Sequence, residues 1–143
     1  MLKSVSTVFA VFLLAGCTGM SAAPAGGGAA ARVTGTVTYL QRIALPPGAV
    51  IKVQLADVSR AGAPAVVLGE QVITAGGRQP PFAFEIPYDP AQIDPRFTYA
   101  VQARIENDGK LLFINDQRYA VITRGAPNHV EMVLRAVGGA PSN

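Results

Sequence analysis

Tyr99-Ala-Val-Gln-Ala-Arg-Ile-Glu106, followed by Asn107-Asp108-Gly109-Lys110 and then Leu111-Leu-Phe-Ile114, decides how this chain folds. Tyr99, Val101, Ala103 and Ile105 alternate with Ala100, Gln102, Arg104 and Glu106. A period of two over eight residues places the first set on one face of a pleated strand and the second on the other. The four turn residues then reverse the chain, because Gly109 supplies the positive φ that a tight hairpin requires. Leu111 to Ile114 returns antiparallel to its predecessor.

The same period runs outward in both directions. Val33, Gly35, Val37 and Tyr39 alternate with Thr34, Thr36 and Thr38, giving one buried face and one hydroxylated face. Leu45-Pro46-Pro47-Gly48 stops that strand and turns the chain. Ile51, Val53 and Leu55 form the inward set of a strand from Val50 to Val58, and Val66 to Ile73 makes a weaker one, interrupted by Gly69 and Glu70. Ala75-Gly76-Gly77 leads to Phe82, Phe84 and Ile86, whose two aromatics on one face anchor a core. Asp89-Pro90 and Asp94-Pro95 favour turns with room for at most one short helical turn. Tyr119 to Thr123 is a short strand. His129 to Ala136 is the last, with Val130, Met132 and Leu134 inward. Seven to eight short strands without a long helix predict an all-β domain over residues 32–136: a single antiparallel β-sandwich, with a small closed barrel as the alternative that alternation cannot separate from it.

Upstream the pattern changes. Lys3 precedes an apolar run from about Val8 to Leu14, which ends in Leu14-Ala15-Gly16-Cys17 with the chain's only cysteine. A charged start, a short apolar core and small residues before the cut describe a secretory signal peptide over residues 1–16, too short to span a bilayer. Small residues directly before a cysteine are a lipobox. Its expected outcome is acylation of the Cys17 thiol by fatty acids such as palmitate, cleavage before Cys17 and anchoring by lipid. Two or three chains hold essentially permanently, each buried methylene contributing about 0.8 kcal/mol. Residues 17–31 are small and uncharged, which predicts a flexible tether spanning roughly 20 Å. Thr18 stands where a retention aspartate keeps many lipoproteins in the inner membrane, so the expected location is the outer membrane, with the domain facing the periplasm. Residues 137–143 read as a frayed tail.

Composition removes several function classes. The formal charge of +3 falls to about +2 once Lys3 leaves, and the basic residues are scattered rather than clustered, so nucleic acid is not expected as a partner. With no cysteine after Cys17, packing alone holds the domain. His129 is the only histidine and sits at a strand start, which rules out a metal site built on two imidazoles within one chain. Of the serines in the predicted domain, Ser59 alone could pair with it, and Ser59 lacks a Gly-x-Ser-x-Gly setting. The carboxylates Asp57, Asp89, Asp94, Asp108 and Asp116 occupy turns or strand ends, where turn geometry explains them. Gly76-Gly77 has no following Lys-Ser/Thr and is a hairpin loop rather than a phosphate cradle. Tyr39, Tyr88, Tyr99 and Tyr119 read as core. No catalytic set, metal or cofactor is expected, and the chain is read as a non-enzyme.

Taken together, Thr36-Val37 to Tyr39, Leu45-Pro46-Pro47-Gly48-Ala49, Ile86-Pro87-Tyr88-Asp89-Pro90, Tyr99 to Ile105 and Asp108-Gly-Lys-Leu-Leu-Phe-Ile-Asn-Asp116 resemble the YbaY/YscW-type lipoprotein family, across roughly Val33 to Leu134. The resemblance implies an outer-membrane lipoprotein with one β-sandwich domain. For some members it implies a pilotin or chaperone role, in which acyl chains carry a bound secretin subunit to the outer membrane. The expected function is therefore binding of another envelope protein, with strand addition at an exposed sheet edge as one route. Arg104, Glu106 and Tyr88 are contact candidates, although no residue is singled out as partner-binding. The alternatives are a module that binds a glycan or apolar small molecule, and a passive structural lipoprotein of the envelope.

Overall fold

The computed structural model describes residues 31–138. Their chain order is β1 (Ala31–Tyr39), β2 (Val50–Asp57), β3 (Val66–Thr74), β4 (Phe82–Tyr88), a 3-10 turn (Pro90–Gln92), β5 (Tyr99–Asn107), β6 (Lys110–Ile114), β7 (Tyr119–Val121) and β8 (His129–Ala136). Burial follows the alternation: Val33, Val37, Ile51, Val53, Leu55, Ile86, Val101, Ile105 and Met132 have no exposed surface. The Asp-Pro segment holds the one helical turn it has room for, opened by Asp89, whose carboxylate accepts from the Ala91 N–H. In the β5–β6 hairpin, Asp108 and Gly109 have φ of 50° and 77°, two successive left-handed residues whose twist matches that of the strands.

The strands form one eight-stranded sheet in the order β3-β2-β5-β6-β8-β1-β4, with β7 pairing β5 beyond the end of β6. The sheet curls until it is nearly closed, and its outer strands β3 and β4 face each other across a seam. There Gly69 lies so near β4 that a Cβ would come within 2.6 Å of the Ile86 side chain, and the Gln71 Oε1 accepts the Glu85 N–H at 2.6 Å. A side-chain amide thus occupies a rung where a backbone ladder is missing.

The pairing departs from a purely antiparallel sheet at one place. β1 and β8 run parallel, from Thr34 opposite His129 to Tyr39 opposite Leu134. β6 and β7 carry the chain to the end where β1 begins, with Val121 opposite Tyr99, and residues 122–128 cross over there, so β8 sets out in the same direction as β1. Side-chain alternation reports which face is buried and carries no information on strand direction. The β6–β8 link is short, with Phe113 opposite Ala136 and Ile114 opposite Arg135.

These directions give the domain two ends. Ala31, Asp57, Val66, Tyr88, Tyr99 and His129 lie at one end. Tyr39, Val50, Thr74, Phe82, Asn107 and Ala136 lie at the other, on the order of 25 Å away along β1. The chain enters β1 at the Ala31 end. The expected signal peptide, Cys17, Thr18 and the expected tether as far as residue 30 fall outside the described residues, as do residues 139–143, whereas Ala31 already belongs to β1.

Candidate partner-binding surfaces

The outward residues of five neighbouring strands form a row across the sheet: Val72, Lys52, Arg104, Ile114 and Arg135. Between β2, β5 and β6 the row borders a shallow cavity of about 190 Å³, lined by Lys52, Gln54, Gln102, Ala103, Arg104, Ile114 and Asn115. Glu106, two residues after Arg104 and on the same face, accepts from Lys52 Nζ at 2.9 Å and Arg104 Nε at 3.0 Å. The Lys52 hydrogen bond, ahead of the attraction of both cations, holds the Glu106 carboxyl below the usual carboxylate range. Two cations therefore share one carboxylate, while Arg135 is matched by Asp116 at 2.6 Å. Gln54 is bonded to Glu70. Most of the polar capacity here is already used within the sheet, which sets three cations, Lys52, Arg104 and Arg135, beside three carboxylates, Glu106, Asp116 and Glu70.

A second surface is apolar and lies at the Tyr39 end. Ile43, Ala44, Leu45 and Pro46 form one wall of a groove of about 300 Å³, Lys110 to Phe113 the other, and Ala136, Val137 and Gly138 its floor. The first wall is irregular chain, yet it is pinned. Tyr39 stacks on Phe113 with ring centroids 4.3 Å apart and donates its hydroxyl to the Ile43 carbonyl at 2.7 Å. Burial raises the pKa of that hydroxyl, which keeps it a donor. Gln79 Oε1 accepts the Leu45 N–H at 3.0 Å. Leu45 is buried as a plug, whereas Ile43 is 58% and the preceding Leu40 82% exposed. On the floor, the Val137 N–H bonds the Leu112 carbonyl at 2.9 Å, so the ordered chain runs one residue past the expected domain end while the Val137 side chain remains half-exposed.

Arg104 and Glu106 come together as an ion pair beside the polar cavity, which Arg104 lines and Glu106 does not. Tyr88 does not join them: it ends β4 at the Ala31 end, half-buried against the core. His129 is exposed, with Nδ1 3.0 Å from Thr34 Oγ1. The Ser59 hydroxyl accepts the Thr98 N–H at 2.8 Å, so the two residues a hydrolase would need serve separate local contacts. Asp94 closes on Arg96 through Nε and Nη2 and sits at a pKa of about 2, the Arg96 side-chain hydrogen bonds being the largest cause. Among the described residues no three His, Cys, Asp or Glu side chains converge on a possible metal position. The interior is filled by Phe82, Phe84, Tyr99, Phe113, Met132 and their aliphatic neighbours. At the sheet edges, the Gln71 contact already occupies the middle of β4, where a strand would add.

Ile43, Leu112 and Val137 were not legible as surface contacts. The one signal was a pair of large aliphatics, Leu40 and Ile43, in a segment with no strand period and no inward face for them.

This fold has counterparts among known proteins. Residues 28–134 match the model of the family described as type III secretion system lipoprotein chaperone (YscW). The chain belongs to the YscW family. Its sequence is 41% identical over 93 residues to the uncharacterized lipoprotein YbaY of Escherichia coli (strain K12), a match that covers 65% of this chain and 49% of YbaY. The chain thus spans about half the length of that relative. Its structure superposes on an alternative pilotin from the type II secretion system of Vibrio cholerae with a TM-score of 0.73 and 48% identity, over 76% of this chain and 98% of that one. Within this YscW-family frame the hairpin quoted at the outset supplies one wall of the apolar groove.

Proposed function

We propose that this chain is a lipid-anchored, non-enzymatic envelope protein that escorts a secretin-type partner to the outer membrane. In this reading residues 1–16 are removed, Cys17 carries the acyl chains, Thr18 permits outer-membrane sorting and residues 17–31 tether the β domain on the periplasmic side. The observation that carries it is the likeness to the Vibrio cholerae pilotin, which extends over 98% of that chain at 48% identity. Physical chemistry supports the division of labour. Two or more acyl chains supply a hydrophobic address, and the packed domain supplies a binding face.

The test is delivery. Coproduction of the full chain with the secretin of the same cell should raise the secretin content of the outer-membrane fraction. Cys17→Ser should abolish incorporation of labelled fatty acid and return the secretin to its level without the protein. Equal delivery by wild type and Cys17→Ser would overturn the reading.

A further inference from the structure

We propose that a further cleft, on the outer face of β5 near the Ala31 end, is a binding site for an acidic sugar, a hydroxylated ring that carries a carboxylate. Its chemistry is independent of the escort role.

The cleft exists because β5 changes partner along one edge. β6 stops at Ile114, opposite Arg104, and β7 starts at Tyr119, opposite Val101. Residues 115–118 bridge the gap as a loop and form one wall, while the connection from β2 to β3 lines the other. The space between them is about 420 Å³, within the range of roughly 300–1,000 Å³ found for small-molecule sites. Ala63, Ala65 and Ala100 give its lining only methyl groups, so no bulky side chain fills it from within. Both walls are held in advance. Asn115 bonds the Ala103 N–H and carbonyl and the Gln117 carbonyl. Across the cleft, the Ser59 hydroxyl accepts the Thr98 N–H at 2.8 Å and the Val58 N–H donates to the Thr98 carbonyl at 2.9 Å. Little chain must be ordered when a ligand enters.

The polar groups select the ligand. In the neighbouring cavity Lys52 and Arg104 are both engaged by Glu106. Here Arg60 lines one wall and Arg118 the other, and no ion pair among the described residues involves either. Two guanidinium forks on facing walls suit a carboxylate, which each can bind through paired N–H groups. The side-chain amides of Gln102 and Gln117 bond no described residue, in contrast to Gln54, which is bonded to Glu70. Amides donate and accept, as ring hydroxyls do. Asp116 also lines the cleft, paired to Arg135 through Oδ2. Its negative charge favours a singly charged carboxylate over a phosphate dianion in the same space. No aromatic ring lines the cleft, so a neutral sugar has no face to stack on and the charge must supply the recognition.

The probe is N-acetylmuramic acid, titrated by saturation-transfer NMR against the full-length acylated protein in nanodiscs. Arg60→Gln and Arg118→Gln should each weaken binding about fivefold or more with unchanged melting temperatures, since both side chains are exposed. Arg42→Gln removes an exposed arginine beyond the opposite end of β1 and should leave binding unchanged. N-acetylglucosamine has the same ring without the lactyl carboxylate and should bind about tenfold more weakly. Absence of binding, equal binding of N-acetylglucosamine, unaltered affinity in both cleft variants, or an equal loss in Arg42→Gln would overturn the proposal. Two further arms test the ligand class. Glucose 1-phosphate should bind more weakly than the sugar acid, and tighter binding would make this a phosphate site. Acetate at equal concentration should not displace the sugar acid, and full displacement would mean that the cleft recognises a bare anion and no sugar.

Discussion

Gly35 illustrates how tightly single residues constrain this domain. A Cβ at that position would stand 1.9 Å from the Val130 carbonyl oxygen and 2.8 Å from the Phe84 ring. The backbone of β8 cannot retreat without breaking its parallel pairing to β1. Gly35→Ala is therefore expected to cost about 3 kcal/mol, read as a lowered denaturation midpoint. An unchanged midpoint would mean that the strands pass farther apart than described. Charge at the surface behaves differently. The Asp94 carboxyl, gripped by Arg96, has a pKa of about 2 against an ordinary 3.8. Because the folded-state pKa is depressed, the contribution of this pair is present above pH 4 and is lost as pH falls toward 2. The pair is exposed, so its effect on stability is small and the measurement to make is the titration itself. In Arg96→Ala the carboxyl resonance of Asp94 should titrate nearer 3.8.

At the scale of elements, the informative places are where a strand leaves its ladder and a side chain substitutes for it. β6 ends at Ile114, and Asn115 takes over: its Oδ1 accepts the Ala103 N–H at 3.0 Å, its Nδ2 donates to the Gln117 carbonyl at 2.8 Å, and its own N–H bonds the Ala103 carbonyl at 3.2 Å. The loop to β7 hangs on this one amide. Across the gap between β7 and β8, the Tyr119 hydroxyl likewise accepts the Val133 N–H at 2.9 Å. Asn115→Ala leaves a part-buried N–H unpaired and should cost about 1–2 kcal/mol. Faster hydrogen exchange at Ala103 would mark the lost rung, and unaltered exchange there would count against the assignment. Strand existence was readable from the sequence because each strand is governed by its own neighbours at i and i+2, and Val33-Val37, Ile51-Leu55 and Tyr99-Ile105 all declare their faces. Asn115 and Tyr119 read only as a turn residue and an aromatic, since their partners are contributed by strands distant in sequence.

At the scale of the molecule, the β class and the strand count were legible. The direction of β8, the near closure at Gly69 and the two-ended layout were not. Gly69 looked like an interruption of a strand pattern, and it is a point on the seam where a Cβ would collide with Ile86 of β4. A two-ended layout depends on which strands pair, and an eight-residue alternation is the same whether its neighbour runs up or down. The groove was hidden for a related reason. Its walls come from residues 43–46 and 110–113 and its floor from 136–138, three segments that meet only once the sheet has curled. The ion-paired cluster of Arg104 and Glu106 beside the polar cavity was partly foreseeable, because both lie on one face of one strand. Lys52, their third member, enters through pairing alone.

The placement of β1 has a mechanical consequence. It lies between β4, which pairs with residues 31–37, and β8, which pairs with residues 34–39, and it is the first strand a pull from the N-terminus reaches. Tension applied there and resisted at the Tyr39 end acts along the strand axis, so the rungs on both flanks are loaded in shear and must rupture together instead of unzipping singly. Resistance to such a pull is set by the height of the unfolding barrier rather than by equilibrium stability.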